Sequence, residues 1–310
     1  MKILIELPSW IGDTVMATPA IENIINYYNK SEITVIGSFA STEIIRNHPK
    51  VVKTQAVKKN YFSLFNTAKN LGKFDIFFSF RGSMRSRIFK LVVSSRLKYQ
   101  INTYDYQNSH QVERYNRFIN NCLKTSFKAG KLKIFSSLEA TLITSDSKPI
   151  VGINPGATYG EAKRWYPQEF AKVATKLSSK YKILIFGGQN EIDISSEIER
   201  ILIGNGIKNF QNFSGKTSIS ELINLISSLD LFITGDSGPM HIAASFQVPT
   251  ISIFGPTRDS ETAQWMNERS IVLKGNLDCQ PCMKRKCPLK HHNCMKTIKA
   301  SNVLNAIESL

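Results

Sequence analysis

One stretch near the carboxyl end, LFITGDSGPMHIAASFQVPTISIFGPT at residues 231–257, decides the fold class. Residues 231–234 form a short apolar run typical of a buried strand, and a glycine-containing polar loop follows them. A helix is predicted at 241–246 and a second apolar strand at 250–254. Strand, helix and strand in that order predict a parallel pair, because the helical crossover returns the chain to the same end of the sheet.

The same alternation runs through the rest of the chain in two series. The first series has predicted strands at 3–7, 33–37 and 74–80 and predicted helices at 13–28, 61–71 and 83–93. The second adds strands at 150–154 and 182–186 and helices at 167–179, 191–203, 218–228 and 302–309. The polar stretch TSDSKP at 144–149 separates them. We therefore predict two Rossmann-like, doubly wound α/β domains, residues 1–146 and 147–310.

Composition excludes several classes of protein. The chain has 310 residues, 42% of them apolar and 21% charged, which is ordinary for a globular protein and not for a disordered chain or a small disulfide scaffold. No run reaches the roughly 18 apolar residues of a membrane span. The amino-terminal run MKILIEL is too short for a secretory signal. We expect a cytoplasmic protein.

The net charge of +16 is concentrated in two places. The segment 81–133, which begins at Arg81 and ends at Lys133, has 12 Lys/Arg and 2 Asp/Glu, a local net charge of +10. Residues 279–299 hold six Lys/Arg and no acidic residue. Such segments are either solvated basic faces or surfaces for a polyanion such as nucleic acid, anionic lipid or a phosphorylated substrate.

The first motif, PSWIGDT at residues 8–14, directly follows the first predicted strand. Ligands of open α/β sheets bind at the carboxyl ends of strands. Asp13 is thus placed to act as a general base, although an aspartate here is equally typical of a plain helix N-cap.

The second motif, NPGATYGEAKRW at residues 154–165, has the content of an anion site. Thr158 offers a hydroxyl and Lys163 a cation, but the spacing is not that of a Walker P-loop. An ordinary βα loop is the alternative. The Gly187–Gly188 turn before Glu191 is a weaker signal, able to place N–H groups or a carboxylate against a nucleoside.

The third motif, TGDSGPMH at residues 234–241, enters a predicted helix. Ser237 and Gly238 would lie at the helix N-terminus, where unpaired N–H groups and the helix dipole favour a phosphate. A capped helix start with Pro239 in its first turn is the alternative. His241 alone is more typical of a packed core histidine.

Four of the five cysteines, Cys279, Cys282, Cys287 and Cys294, lie within 16 residues. Thiols this close can bind zinc, but their spacing is not that of a zinc ribbon, and reduced thiols that pack locally are the alternative. We expect no metal. The sequence contains no HExxH, GxSxG, GxGxxG or Walker A pattern, which disfavours common hydrolases, P-loop ATPases and dinucleotide dehydrogenases.

Taken together, the three motifs resemble those of glycosyltransferase family nine, the ADP-heptose:lipopolysaccharide heptosyltransferases. The segment CPLKHHNCM at 287–295 is most similar to the heptosyltransferase II branch. The resemblance covers nearly the whole chain. It implies a GT-B fold with two Rossmann-like domains facing across a cleft, the first for the acceptor and the second for ADP-heptose.

The resemblance also implies residue roles. Asp13 matches the base that deprotonates the acceptor hydroxyl during an inverting transfer, and Lys163 the cation that stabilises the leaving diphosphate. Donor contacts are implied at Thr158, Glu191, Asp236, Ser237, Gly238 and His241. No cofactor is implied.

The implied partners are ADP-heptose and a Kdo-lipid A-heptose acceptor, whose phosphates and carboxylates would attract the basic segment 81–133 at the cytoplasmic face of the inner membrane. The predicted reaction transfers L-glycero-D-manno-heptose to the first heptose of the inner core. Two alternatives remain at this point: a related family-nine enzyme such as heptosyltransferase I or III, and a basic nucleic-acid-binding protein.

Overall fold

The chain divides into two units in a computed structural model that describes residues 1–58, 60–136 and 148–310. The units are Met1–Phe135 and Ser136–Leu310. The predicted domain boundary between residues 146 and 147, and most of the predicted linker, lie outside the described residues.

The first unit is built on one sheet. Its strands are β1 (Lys2–Glu6), β2 (Glu32–Gly37), β3 (Val51–Ala56), β4 (Phe74–Ser79) and β5 (Ser95–Gln100). Its helices are α1 (Ile11–Tyr27), α2 (Phe39–Ile45), α3 (Tyr61–Leu71), α4 (Met84–Val92) and α5 (Gln111–Leu123). The five strands are parallel, in the order β3-β2-β1-β4-β5.

The second unit contains a six-stranded parallel sheet. Its strands are β6 (Ile150–Asn154), β7 (Lys182–Ile185), β8 (Phe210–Asn212), β9 (Leu231–Gly235), β10 (Thr250–Phe254) and β11 (Ser270–Lys274). Its helices are α6 (Pro167–Leu177), α7 (Ile192–Gly204), α8 (Ile219–Ser227), α9 (Gly238–Ser245), α10 (Asp259–Thr262), α11 (Asn293–Lys296) and α12 (Ala300–Glu308). The order is β11-β10-β9-β6-β7-β8.

Both orders are those of a Rossmann fold, in which the first strand of the unit lies beside the fourth. The order reverses between β1 and β4 in the first unit and between β6 and β9 in the second. Ligands bind at this switch point, outside the carboxyl ends of the strands. The prediction of two Rossmann-like α/β domains is confirmed.

The sequence predicted every inner strand and missed every edge strand. Residues of β6, β9 and β10 are buried throughout, because helices cover both faces of a parallel sheet. The missed strands β3, β5, β8 and β11 contain mostly exposed or half-buried residues. Among the described residues, no helix combines the length and apolar character needed to cross a bilayer.

Candidate functional site

Three loops of the second unit meet at one edge of its sheet. They leave the carboxyl ends of β9, β6 and β7, which are neighbours in the sheet. The loop after β6 carries Lys163, the loop after β9 carries Asp236, and the loop after β7 carries Glu191. The switch point therefore collects the three glycine-containing motifs that the sequence singled out.

Lys163 and Asp236 form a buried ion pair at this edge. Lys163 Nζ lies 2.5 Å from Asp236 Oδ2, with the two side chains only 11% and 7% exposed. The Thr257 hydroxyl donates to the same oxygen at 2.6 Å. The pair joins Lys163, which the resemblance assigned to the leaving diphosphate, to Asp236, for which it implied a donor contact. A lysine held in this way is a fixed cation at the carboxyl edge of the sheet.

The Tyr159 ring lies under that cation. Lys163 Nζ stands 4.7 Å from the ring centroid, within the range of a cation–π contact. Thr158, the neighbouring residue of the loop, is exposed. Thr158 is thus accessible at the surface of the loop that carries Lys163.

The N-terminus of α9 faces the same edge. Ser237 is its N-cap, yet its hydroxyl makes no capping bond and instead contacts Asn154 Nδ2 at 3.2 Å and Thr234 Oγ1 at 3.0 Å. The first turn, starting at Gly238, is therefore not closed by its own cap side chain, which suits an anion. His241 is in α9 and only 3% exposed, as a packed histidine would be.

Glu191 is fixed against the loop after β6. Its carboxylate accepts a hydrogen bond from the Gly188 N–H at 2.8 Å, and the side chain is buried. A Cβ added to Gly156 would lie 2.1 Å from the Glu191 carboxyl carbon. Gly156 is thus required for this close approach, which brings the Gly187–Gly188 turn and Glu191 against the second motif.

In the first unit, Asp13 is in the first turn of α1, and Trp10 occupies the N-cap position. The interpretation of Asp13 as the N-cap is wrong, because the helix begins two residues earlier, at Ile11. The Tyr115 hydroxyl of α5 donates to Asp13 Oδ1 at 3.3 Å. Burial and the nearby Asp13 carboxylate hold the pKa of Tyr115 well above its usual value, so the phenol stays a donor.

A second acidic side chain lies at the switch point of this unit. Glu6, at the end of β1, is buried and accepts a hydrogen bond from the Ser79 hydroxyl at 2.6 Å. Arg81 follows β4 and places Nη1 3.7 Å from Glu6 Oε1. The first cation of the basic segment 81–133 is thus held at the ligand-binding edge.

Other cations of that segment have local partners. Lys133 pairs with Glu22 at 2.9 Å, Lys98 donates to the Leu91 carbonyl, and Arg114 Nε donates to the Ser109 carbonyl. The segment is therefore partly structural, and seven of its 12 cations lie on α4, β5 and α5.

Sequence reasoning missed several residues of these sites, among them Tyr115, Asn154 and Thr257. Asn154 and Thr257 lay inside quoted motifs, and their positions, at the last residue of β6 and three residues after β10, were an available signal. Tyr115 lies 102 residues from Asp13, and nothing in the local pattern links the two.

The four clustered cysteines are reduced and lie near the loop of Lys163, around a small cavity that Ala162 also lines. Across residues 1–58, 60–136 and 148–310, no three His, Cys, Asp or Glu side chains already converge as metal ligands.

Comparisons with known proteins agree on one family. The family model of glycosyltransferase family 9 (heptosyltransferase) matches residues 74–293. Lipooligosaccharide heptosyltransferase 2 of Campylobacter jejuni serotype O:2 is 41% identical, with 100% of this chain and 98% of that protein aligned.

Two solved structures are similar in fold. The Escherichia coli ADP-heptose LPS heptosyltransferase II matches with a TM-score of 0.84 at 20% identity, covering 100% of this chain and 98% of that one. The E. coli heptosyltransferase WaaC with ADP matches with a TM-score of 0.76 at 16% identity, covering 100% and 99%. These likenesses confirm the GT-B fold class.

Proposed function

This chain belongs to glycosyltransferase family 9, and from that premise we propose that it transfers L-glycero-D-manno-heptose from ADP-heptose to the first heptose of the lipopolysaccharide inner core, with inversion at the anomeric carbon. The observation that carries the proposal is the meeting of a buried cation, a helix N-terminus and hydroxyl groups at the switch point of the second sheet. That set of groups suits a sugar diphosphate.

The donor diphosphate would occupy the first turn of α9, with Ser237 and Gly238 beside it. Lys163 would supply the cation that stabilises the charge developing on the leaving ADP. Because Asp236 holds Lys163 in place, the diphosphate competes with that carboxylate for the ammonium group. Asp236 would then turn to the heptose hydroxyls, with Thr158 next to the phosphates.

Two further residues complete the donor site that we propose. Glu191 is anchored beside Gly156 and would accept hydrogen bonds from the nucleoside. His241 is almost fully buried, so its contribution would come through the position of the α9 turn.

Inversion requires a base on the acceptor side. Asp13 would take the proton of the attacking hydroxyl while ADP departs from the opposite face of the sugar. The hydrogen bond from Tyr115 supports this role, because it orients the carboxylate.

The acceptor has a Kdo-lipid A-heptose structure, whose anionic groups suit Arg81 and its neighbours in the first unit. Residues 57–104 contain ten Lys/Arg and one acidic residue. The contacting helices α3 and α4 also expose large apolar side chains: Phe62 at 78%, Met84 at 65% and Leu91 at 77%. Cations beside exposed aromatic and aliphatic groups suit peripheral attachment to the anionic cytoplasmic leaflet of the inner membrane.

The test is single-turnover ADP release from ADP-heptose with de-acylated acceptors that carry zero, one or two heptoses. Release only with the one-heptose acceptor is expected. Release only with the Kdo-terminated acceptor would move the assignment to heptosyltransferase I, and release only with two heptoses would move it to a later core step. ADP binding without release on any acceptor would reject heptose transfer.

A further inference from the structure

The 18 residues between β11 and α11 form an irregular segment that the proposed transfer reaction does not use. Residues 275–292 are all described and contain no helix or strand. Three non-glycine residues in it, Met283, Lys290 and His292, have positive φ. A segment without a ladder of hydrogen bonds needs another source of order, and in small irregular folds that source is commonly a disulfide or a metal.

The four cysteines of this region share one cavity. It has a volume of about 20 Å³, and its lining includes Cys279, Cys282, Cys287 and Cys294, together with Ala162 and Gly255. A space of this size accommodates a single water or ion. All four thiols are free, so no disulfide orders the segment.

We propose that Cys279, Cys282, Cys287 and Cys294 bind one zinc or iron ion as thiolates, and that this ion fixes the loop that carries Lys163. Four sulfur ligands favour these metals in tetrahedral geometry. Binding releases four protons to solvent, and a divalent ion with four thiolates has a net charge of −2. The side chains do not converge on one point in this structure, so binding of the ion must reorient the thiols.

The surroundings suit an anionic metal centre. Residues 279–299 carry six Lys/Arg and no acidic residue, which offsets the charge of the tetrathiolate. The His292 N–H donates to Cys287 Sγ at 3.4 Å, the type of outer bond that steadies a thiolate ligand. His292 is not a candidate ligand, because its ring nitrogens contact the Ala162 carbonyl at 2.9 Å and the Tyr166 hydroxyl at 3.0 Å.

Residues 275–292 also contact the loop that carries Lys163, called the donor loop here. The Arg285 carbonyl accepts from the Ala162 N–H at 3.0 Å, and the Met283 carbonyl accepts from the Tyr159 hydroxyl at 3.1 Å. A Cβ on Gly160 would lie 2.5 Å from the Arg285 carbonyl oxygen. The Arg285 guanidinium stands 5.2 Å from the centroid of the Tyr159 ring, which Lys163 also contacts. Loss of the ion would therefore loosen the lysine loop.

The first experiment measures metal by mass spectrometry in the full chain, purified untagged under reducing conditions from medium containing zinc and iron. We expect close to one ion per chain, and near-complete loss in Cys282→Ser and Cys287→Ser. Cys122→Ser is the matched control, since Cys122 lies in α5 of the other unit. Absence of both metals from the parent chain, or equal metal in the Cys282→Ser variant, would overturn the proposal.

A second measurement does not depend on the serine variants folding. Cobalt(II) added to the metal-free chain should give thiolate-to-cobalt charge-transfer bands and the intense visible bands of a tetrahedral site. Weak octahedral bands alone would reject thiolate ligation.

The predicted effect of the ion on the Lys163 loop rests on the proposed function. It is therefore measured by transferase kinetics, separately from the metal content. In Cys287→Ser the KM for ADP-heptose should rise by a larger factor than kcat falls. Intact metal content with no transferase activity would reject the proposed function and leave the metal site standing. Metal loss with unchanged KM would reject the link to the lysine loop.

Discussion

Replacing Lys163 with methionine removes a cation that lies 2.5 Å from the Asp236 carboxylate and leaves that carboxylate buried, at 7% exposure. Breaking a buried pair by deleting one partner costs about 3–5 kcal/mol, because the remaining charge is uncompensated. The Thr257 hydroxyl still donates to the same oxygen, so we expect the lower end, about 3 kcal/mol. For a unit of this size that corresponds to a fall in Tm of roughly 6–12 °C.

The assay is thermal and chemical denaturation of the single variants Lys163→Met and Asp236→Asn and of the double variant. The double variant should recover much of the loss, because its buried partner is no longer charged. Lys172→Met is the matched control: Lys172 pairs with Glu169 at 2.7 Å but is 63% exposed, so its loss should cost at most about 1 kcal/mol. A Lys163→Met variant as stable as Lys172→Met, or a double variant no better than Lys163→Met, would refute the buried-pair reasoning.

Three further predictions concern catalysis, the donor loop and the membrane. Asp13→Asn should lower kcat by about 10²–10⁴-fold, whereas Tyr115→Phe should lower kcat far less, and ADP binding measured by calorimetry should be unchanged. A near-normal kcat in Asp13→Asn would show that Asp13 is not the base. Gly156→Ala forces a methyl group 2.1 Å from a buried carboxyl carbon, so we expect a loss of about 1–3 kcal/mol in denaturation and weaker ADP binding; an unchanged Tm would contradict this close approach. Sedimentation with anionic vesicles should fall in a Phe62→Ser/Leu91→Ser variant and in high salt, while neutral vesicles bind little throughout; equal binding by variant and parent would place the attachment elsewhere.

Inner strands were predicted and edge strands were missed because the two kinds of strand are buried to different extents. An inner strand such as β9, LFITG, is covered on both faces and reads as an unbroken apolar run. An edge strand such as β5, SRLKYQ, has only one neighbour and half-exposed side chains, so its composition resembles a loop. The missed strands have no apolar run that would predict a strand. Hydrogen bonds to the neighbouring strand, and not their own composition, keep them in the sheet.

The sequence identified the loops that form the candidate site but not the contacts between those loops. Glycine, hydroxyl and basic residues after predicted strands located the loops that carry Lys163 and Asp236, and the family resemblance alone implied a donor contact for Asp236. Their pairing spans 73 residues and depends on β6 lying beside β9, which composition does not reveal. The position of Asp13 relative to its helix likewise depended on the start of α1, a boundary that no polar N-cap residue marks, since Trp10 occupies that place.

Part of the basic charge lies on the four edge strands, where it has a role that involves no ligand. An exposed edge is a template on which another chain can add a strand and begin to aggregate. Lysine or arginine side chains stand on β3, β5 and β11, at Lys53, Arg96, Lys98 and Lys274, and β8 is only three residues long. Cations repel a second edge of the same kind, and a very short strand offers too few hydrogen bonds to recruit one. Neutralising Lys53 and Lys98 together should therefore shorten the time to insoluble protein on mild heating without changing how tightly ADP is held.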